Sequence, residues 1–167
     1  MNRSPRAILV ALTATAAIGL TGCSQIEGLF GGDEPERSED GDVTETTEGV
    51  SVLHLQQGDC TGELSESEVT EVDVIPCDEA HVNEVYHAYD IEGDEFPGDD
   101  QVNEGAVEAC SAEFEPFVGV GYNDSDLEVN YLVPTQESWD GDDDRSVLCF
   151  VYDPQGDSTG SLEGAAR

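Results

Sequence analysis

The sequence contains no lysine and only five arginines, against 39 aspartates and glutamates in 167 residues. A phosphate backbone is bound by a basic surface, so this composition excludes a nucleic-acid-binding protein. Aromatic residues make up only 7% of the chain, which is enough for one small globular domain. No stretch reaches the roughly 18 to 20 apolar residues of a membrane-spanning helix, so none is expected.

The N-terminus has the proportions of a secretory signal. Two arginines precede an apolar run at residues 7–20, which is too short to span a membrane. The run ends in Leu-Thr-Gly-Cys at 20–23, which resembles the bacterial lipobox, whose cysteine receives diacylglycerol and becomes the mature N-terminus. We predict a lipoprotein signal peptide at 1–22 and a protein anchored through lipid on Cys23 to the extracytoplasmic face of the cell membrane. An ordinary signal peptide with a chance cysteine is the alternative.

The cysteine count supports lipidation independently. Five cysteines would leave one unpaired, whereas lipidation of Cys23 leaves an even set: Cys60, Cys77, Cys110 and Cys149. Thiols outside the cytoplasm oxidise and stay oxidised, so we expect two disulfides. A zinc site would need Cys-x-x-Cys clusters, and none occurs, so no metal site and no cofactor are predicted.

Removal of the predicted signal peptide would make the net charge more negative. The mature chain would hold 39 acids against three arginines, a net charge of −36. Such a surface suits either the capture of cations or a basic partner, or simple solvation at high salt, where the screening length falls to about 3 Å. We favour a solvated surface, because the acids are spread along the whole chain and lysine is absent.

The composition changes near residue 50. Residues 24–50 contain nine acids, five glycines and few large apolar side chains, so they cannot bury enough surface to offset the entropy of ordering. We therefore predict that residues 23–50 are the lipidated N-terminus followed by a disordered acidic tether. The folded domain is predicted to span residues 51–167.

Within the domain, periodicity indicates several strands and one helix. The helix is predicted after Pro97 and Gly98, with Asp99 or Asp100 as its N-cap, and its apolar residues recur at helical spacing through Phe117. It is expected to end at a glycine, Gly119. Alternating apolar residues, such as the inward-facing Val72 and Val74, and turn signals predict strands at 52–55, 69–75, 83–91, 127–133 and 146–152.

These elements predict an α+β domain: a small, mainly antiparallel sheet with one helix packed on it and two disulfides. Cys110 falls on the helix and Cys149 on the last predicted strand, so a bond between them would staple the core. Cys60 and Cys77 fall just past the ends of the first two strands. Among the three possible connectivities we favour Cys60–Cys77 with Cys110–Cys149.

Short patterns recur in a fixed order around these cysteines. They are Gly-Asp-Cys at 58–60, Val-Ile-Pro-Cys-Asp-Glu-Ala-His at 74–81, the helix with Cys110, Tyr-Leu-Val-Pro-Thr at 131–135, Val-Leu-Cys at 147–149 and Thr-Gly-Ser-Leu at 159–162. Over about residues 51–164 this resembles the septum-formation domain family of Gram-positive envelope proteins. The resemblance implies an extracytoplasmic domain tied to the cell envelope and, by the family name, to division septa. It implies no catalytic residues.

The strongest candidate metal site consists of His81, Glu84 and His87, because imidazoles and carboxylates are common metal ligands. In an extended segment, however, residues three apart face opposite sides, which separates His81 from Glu84. We favour a structural role in which His81 hydrogen-bonds the turn after Cys77.

Other groups are weaker candidates. The oxygen-rich loops 123–126 and 140–144 could hold calcium, but neither fits the twelve-residue calcium-binding loop. Ser161 does not lie in the Gly-x-Ser-x-Gly motif of a hydrolase nucleophile. Trp139 could stack on a sugar, although a lone tryptophan more often plugs the edge of a core.

We therefore predict a protein that is not an enzyme: a lipid-anchored binding or scaffolding module at the cell envelope, possibly in septum formation. Its predicted partners are the membrane, through Cys23, and an unidentified envelope or division protein, with no nucleic acid. The alternatives are an enzyme that acts on the cell wall and a cation-binding envelope protein.

The charge imbalance makes a prediction about stability. Self-repulsion among the acids should destabilise the compact state at low ionic strength, and salt should relieve it. Sodium chloride and potassium chloride should therefore raise the melting temperature of the mature chain by similar amounts, up to molar concentrations. A saturable shift with millimolar calcium, absent with magnesium at equal ionic strength, would instead indicate a specific calcium site.

Overall fold

The computed structural model describes residues 34–64 and 69–167. The predicted signal peptide and Cys23 lie outside these residues. No helix in the described part is both long and apolar enough to cross a bilayer. Its strands and helices are β1 (Thr47–Ser51), β2 (Cys60–Thr61), β3 (Glu71–Ile75), β4 (Ala80–His81), β5 (Asn83–Asp90), α1 (Asp99–Val118), β6 (Glu128–Leu132), α2 (Gln136–Gly141), β7 (Ser146–Tyr152) and β8 (Ser158–Thr159).

Six strands form one sheet in the order β1-β3-β2-β5-β7-β6, and β4 pairs with β8 in a small second sheet. Every neighbouring pair is antiparallel. The long helix α1 packs against β5, β6 and β7. The predicted α+β class, with a helix packed on a mainly antiparallel sheet, is confirmed.

The sheet has an apolar core on each of its faces. Along β7, Cys149 and Val151 belong to the cluster under α1, whereas Leu148 and Phe150 belong to a second cluster. This alternation places the two clusters on opposite faces, because successive side chains of a strand point to opposite sides. Strands β1 and β3 also contribute to the second cluster, so the sheet curls around it: Val50, Val72 and Val74.

Helix α1 keeps the predicted spacing and the predicted end. Its buried residues recur every four positions from Val102 to Val118. Gly119 follows in the left-handed conformation, with φ of 93°, and its N–H donates to Glu115 O. The predicted N-cap is wrong. Gly98 occupies that position, and Asp99 and Asp100 lie in the first turn, where their charges are favourable to the helix dipole.

Both predicted disulfides are present. Cys110–Cys149 joins α1 to β7, and Cys60–Cys77 joins β2 to the turn after β3. By the chain-entropy estimate, each contributes about 3 to 4 kcal/mol of stability. The buried Tyr86 hydroxyl donates to Cys110 O at 2.6 Å beside the first of these bonds, and burial raises the pKa of this phenol.

Two local predictions differ from the structure. Residues 52–55 do not form a strand, because Val52–His54 is a 3-10 turn in which the Ser51 side chain accepts from Leu53 N. The first strand lies just before this turn, as β1. The alternation that predicted a strand at 83–91 is interrupted in β5 by a bulge between Val85 and His87, so these two residues lie on opposite faces of the sheet.

The ordered domain also begins earlier than predicted. Strand β1 begins within the range assigned to the tether, and Arg37 forms a bidentate ion pair with Asp59, with N–O distances of 2.6 and 2.8 Å. The Asp59 side chain is 2% exposed and also accepts from Gln56 N. Composition gave no sign of this contact, since it depends on one ion pair. The hydrogen bond to Asp59 raises the pKa of Arg37.

The Arg37–Asp59 pair gives a direct stability prediction. Arg37→Ala leaves a buried carboxylate without its partner and should lower the free energy of unfolding by about 3 kcal/mol. Arg167→Ala is the matched control, since its partner Asp153 is held by an arginine that is 42% exposed. That change should cost less than about 1 kcal/mol. Urea unfolding of the protein measures both, and equal effects would contradict an anchoring role for Arg37.

Candidate functional site

A groove of about 480 Å³ lies where the two ends of the curled sheet approach each other. Residues 51–53 line it at the end of β1, and residues 131–133 line it at the end of β6, the strand at the opposite edge of the sheet. Its size is within the range of small-molecule and peptide sites. The remaining lining comes from α1, α2, the loop after α2, β7 and the segment before β3: Val69, Thr70, Asn103, Ser138, Asp142, Asp144, Ser146 and Leu148.

The floor of the groove is apolar. Leu148 is a buried member of the second core cluster, and Val52 and Leu132 pack against that cluster. Leu53 lies at the rim and is 42% exposed, one of the few large apolar side chains that the described surface presents. A ligand with an apolar side chain would therefore extend the core rather than contact water.

One wall of the groove is polar and held in place by α2. Thr135 caps this helix through a reciprocal capping box with Ser138. The Ser138 hydroxyl donates to Asp144 Oδ2 at 2.9 Å, and Ser146 N donates to Asp144 Oδ1 at 3.0 Å. Asp144 is thus fixed by donors of the protein itself, and Asp142 beside it is exposed.

Trp139 is the buried residue of α2 and directly follows Ser138 of this wall. Its side chain is 2% exposed and its Nε1 donates to Asp94 O at 3.2 Å. The guanidinium of Arg145 lies 3.7 Å from the ring centroid and pairs with Asp143 at 2.8 Å. Trp139 is therefore part of the core edge, as favoured from the sequence, and its ring is covered against stacking on a sugar.

The structure does not bring His81, Glu84 and His87 together as a metal site. His81 is buried, and its Nδ1 lies 2.9 Å from Glu79 O, in the turn after Cys77, as predicted. The ring of His87 lies beside Tyr89, with centroids 5.7 Å apart.

Glu84 instead anchors the C-terminal segment. Its buried carboxylate accepts from the Ser161 hydroxyl and from Leu162 N, both at 2.6 Å. Ser161 is thus a donor to a structural carboxylate. Among the described residues, one group of three potential metal ligands converges, Cys60, Cys77 and Glu84, and both of its sulfurs belong to a disulfide.

In the two oxygen-rich loops, several side chains are engaged by other residues of the protein. In 140–144, Asp140 accepts from Gln136, and Asp143 and Asp144 are engaged as described above. In 123–126, the Ser125 hydroxyl donates to the carbonyl of Arg167. Within the described residues, neither loop gathers three carboxylates around a common point.

Sequence reasoning missed the groove itself. Its walls come from segments about 80 residues apart in the chain, and only the curl of the sheet brings them together. The local patterns there identified a strand at 52–55 and a charged loop at 140–144. Neither pattern carries a signal for a binding site.

Comparison with known families gives one match. A family model described as septum formation matches residues 55–167. Searches of curated proteins and of solved structures found no match. The matched range contains both disulfides and most of the groove, and it covers more than half of the chain. The chain therefore belongs to the septum-formation family.

Proposed function

We propose that this protein is a lipid-anchored, extracytoplasmic binding module that acts at the division septum. The observation that carries the proposal is the groove: an apolar floor and a rigid polar wall, open at the surface, in a domain of the septum-formation family. Concave sites of this kind hold ligands through apolar contact, with a few polar groups for orientation.

The lining favours binding over catalysis. Hydrolysis of a wall polymer needs a positioned acid and base, or a nucleophile activated by a base. The lining contains two carboxylates, of which Asp144 is already held by Ser138 and Ser146. His81 and Glu84, the groups first considered for chemistry, lie outside the lining and are engaged elsewhere.

The rigidity of the walls fits the role of a scaffold. Helix α1 and strand β7 both contribute to the groove, and Cys110–Cys149 fixes one to the other. A preformed site loses less conformational freedom on binding than a mobile one. The domain therefore presents one fixed surface to its partner.

The lipid anchor sets the location of that surface. Ten residues separate the lipobox Cys23 from Glu34, where the described chain begins. Even fully extended, this distance is at most about 35 to 40 Å. A lipid on Cys23 would keep the domain close to the outer membrane face, where septal proteins and their extracytoplasmic segments are within reach.

Cell fractionation and antibody imaging of the full chain test the proposal. The natural protein should be in membranes and enriched at septa. Cys23→Ala should release it to the medium or leave unprocessed precursor, with loss of septal signal, because the lipid acceptor is gone. Ser24→Ala is the matched control and should behave as the natural protein.

Two outcomes would contradict the proposal at different points. A processed Cys23→Ala chain that stays in membranes would refute the lipid anchor. Uniform distribution of the natural protein around the cell, in dividing and non-dividing cells alike, would refute action at the septum.

A further inference from the structure

We propose that the groove takes an extended, lysine- or arginine-bearing segment of a partner protein, which adds as a strand beside β6. The inference rests on the proposed function and names the chemistry of the partner. Three observations carry it: an open sheet edge beside an apolar groove, a surplus of negative charge, and arginines that are already paired.

The first observation is the open edge. Strand β6 is last in the order of the sheet, and within the described residues no strand pairs with its outer side. The N–H of Tyr131 donates to the side-chain oxygen of Asn130 at 2.8 Å, so the strand itself satisfies this donor. Side chains commonly protect such edges. A carbonyl of an added strand can replace the Asn130 oxygen without loss of a hydrogen bond.

The groove continues from this edge. Tyr131 and Leu132 of β6 line it, and Leu53 lies across from them at the rim. In strand addition, backbone hydrogen bonds supply affinity, and pockets for alternate side chains supply specificity. An extended segment along β6 would direct alternate side chains toward this apolar floor.

The charge of the site selects a cationic segment. Asp142 and Asp144 line the groove, and the mature chain has 39 acids. Each of the three arginines in the described residues already pairs with a carboxylate. A basic segment is therefore attracted from a distance and favoured on contact. A second copy of this chain, with its own surplus of negative charge, is repelled.

The same features disfavour a glycan as occupant. Trp139, the aromatic residue considered for stacking on a sugar, is buried under Arg145, so the groove offers a sugar no tryptophan face. Anionic wall polymers meet the same repulsion as a second copy. A polypeptide with alternating basic and apolar residues matches both the carboxylates and the floor.

Binding of short synthetic peptides to the mature lipidated chain in neutral nanodiscs tests the inference. A peptide of alternating lysine and valine should bind saturably at physiological salt, as measured by fluorescence anisotropy. The same peptide with two central valines replaced by prolines keeps its charge but loses backbone donors, so it should bind about tenfold more weakly. A glutamate and valine peptide should not bind.

Matched variants locate the site. Leu53→Arg puts a cation at the rim and should weaken binding about tenfold. Val107→Arg on α1 makes the same charge change at an apolar position of similar exposure, 50% against 42%, and should leave binding unchanged. Asn130→Ala removes the internal competitor for Tyr131 N–H and should tighten binding about twofold. Melting temperatures of all three confirm that they fold.

Several results would overturn the inference. Equal weakening by the two arginine variants would indicate diffuse electrostatics instead of a site. Equal binding of the proline peptide would refute strand addition, and binding of soluble wall glycan but of no peptide would assign the groove to a polysaccharide. Self-association that Leu53→Arg abolishes would assign it to a second copy. Each of these leaves the septal location of the chain untouched, since fractionation and imaging judge that separately.

Discussion

Electrostatic repulsion is the constraint on which the rest of this structure depends. A chain with 39 acids and only five arginines cannot rely on surface ion pairs for stability. Each of the three arginines in the described residues pairs with a carboxylate, and two disulfides cross-link the domain. Arg37 neutralises a buried aspartate, Arg145 stacks on Trp139, and Arg167 pairs near the C-terminus. The two disulfides and the apolar core inside the curled sheet also stabilise the folded domain.

The same constraint shapes the exposed surface of the domain. Since all arginines in the described part are engaged, the accessible charge is almost entirely negative, which is the basis of the proposal that the partner is cationic. The groove adds an apolar floor to this field, and its walls are fixed by Cys110–Cys149 and by the hydrogen bonds of Asp144. The negative field and the apolar floor are the two features that support the proposed binding role.

More of the fold than of the candidate site could be predicted from the sequence. The helix, four of the five predicted strands and both disulfides were predictable, because periodicity of three to four residues, alternation and the four cysteines placed within the predicted domain are local or arithmetic signals. The Arg37–Asp59 pair and the Glu84 contact with Leu162 were not predictable, since each depends on one side chain meeting a distant segment. The bulge in β5 was also not predicted, since it interrupts the alternation from which the strand was inferred. The groove was also not predictable, because it forms only when the curl of the sheet brings distant segments together.

Site-specific photocrosslinking in dividing cells tests the central claim most directly. A photoreactive amino acid is placed at Leu53, in the groove, or at Val107, which is exposed on α1. We expect position 53 to yield one dominant adduct, whose crosslinked peptide is a basic, extended segment of a septal envelope protein, and position 107 to yield none of it. Identical products from both positions, or an adduct to glycan at position 53, would contradict a groove that binds a partner polypeptide.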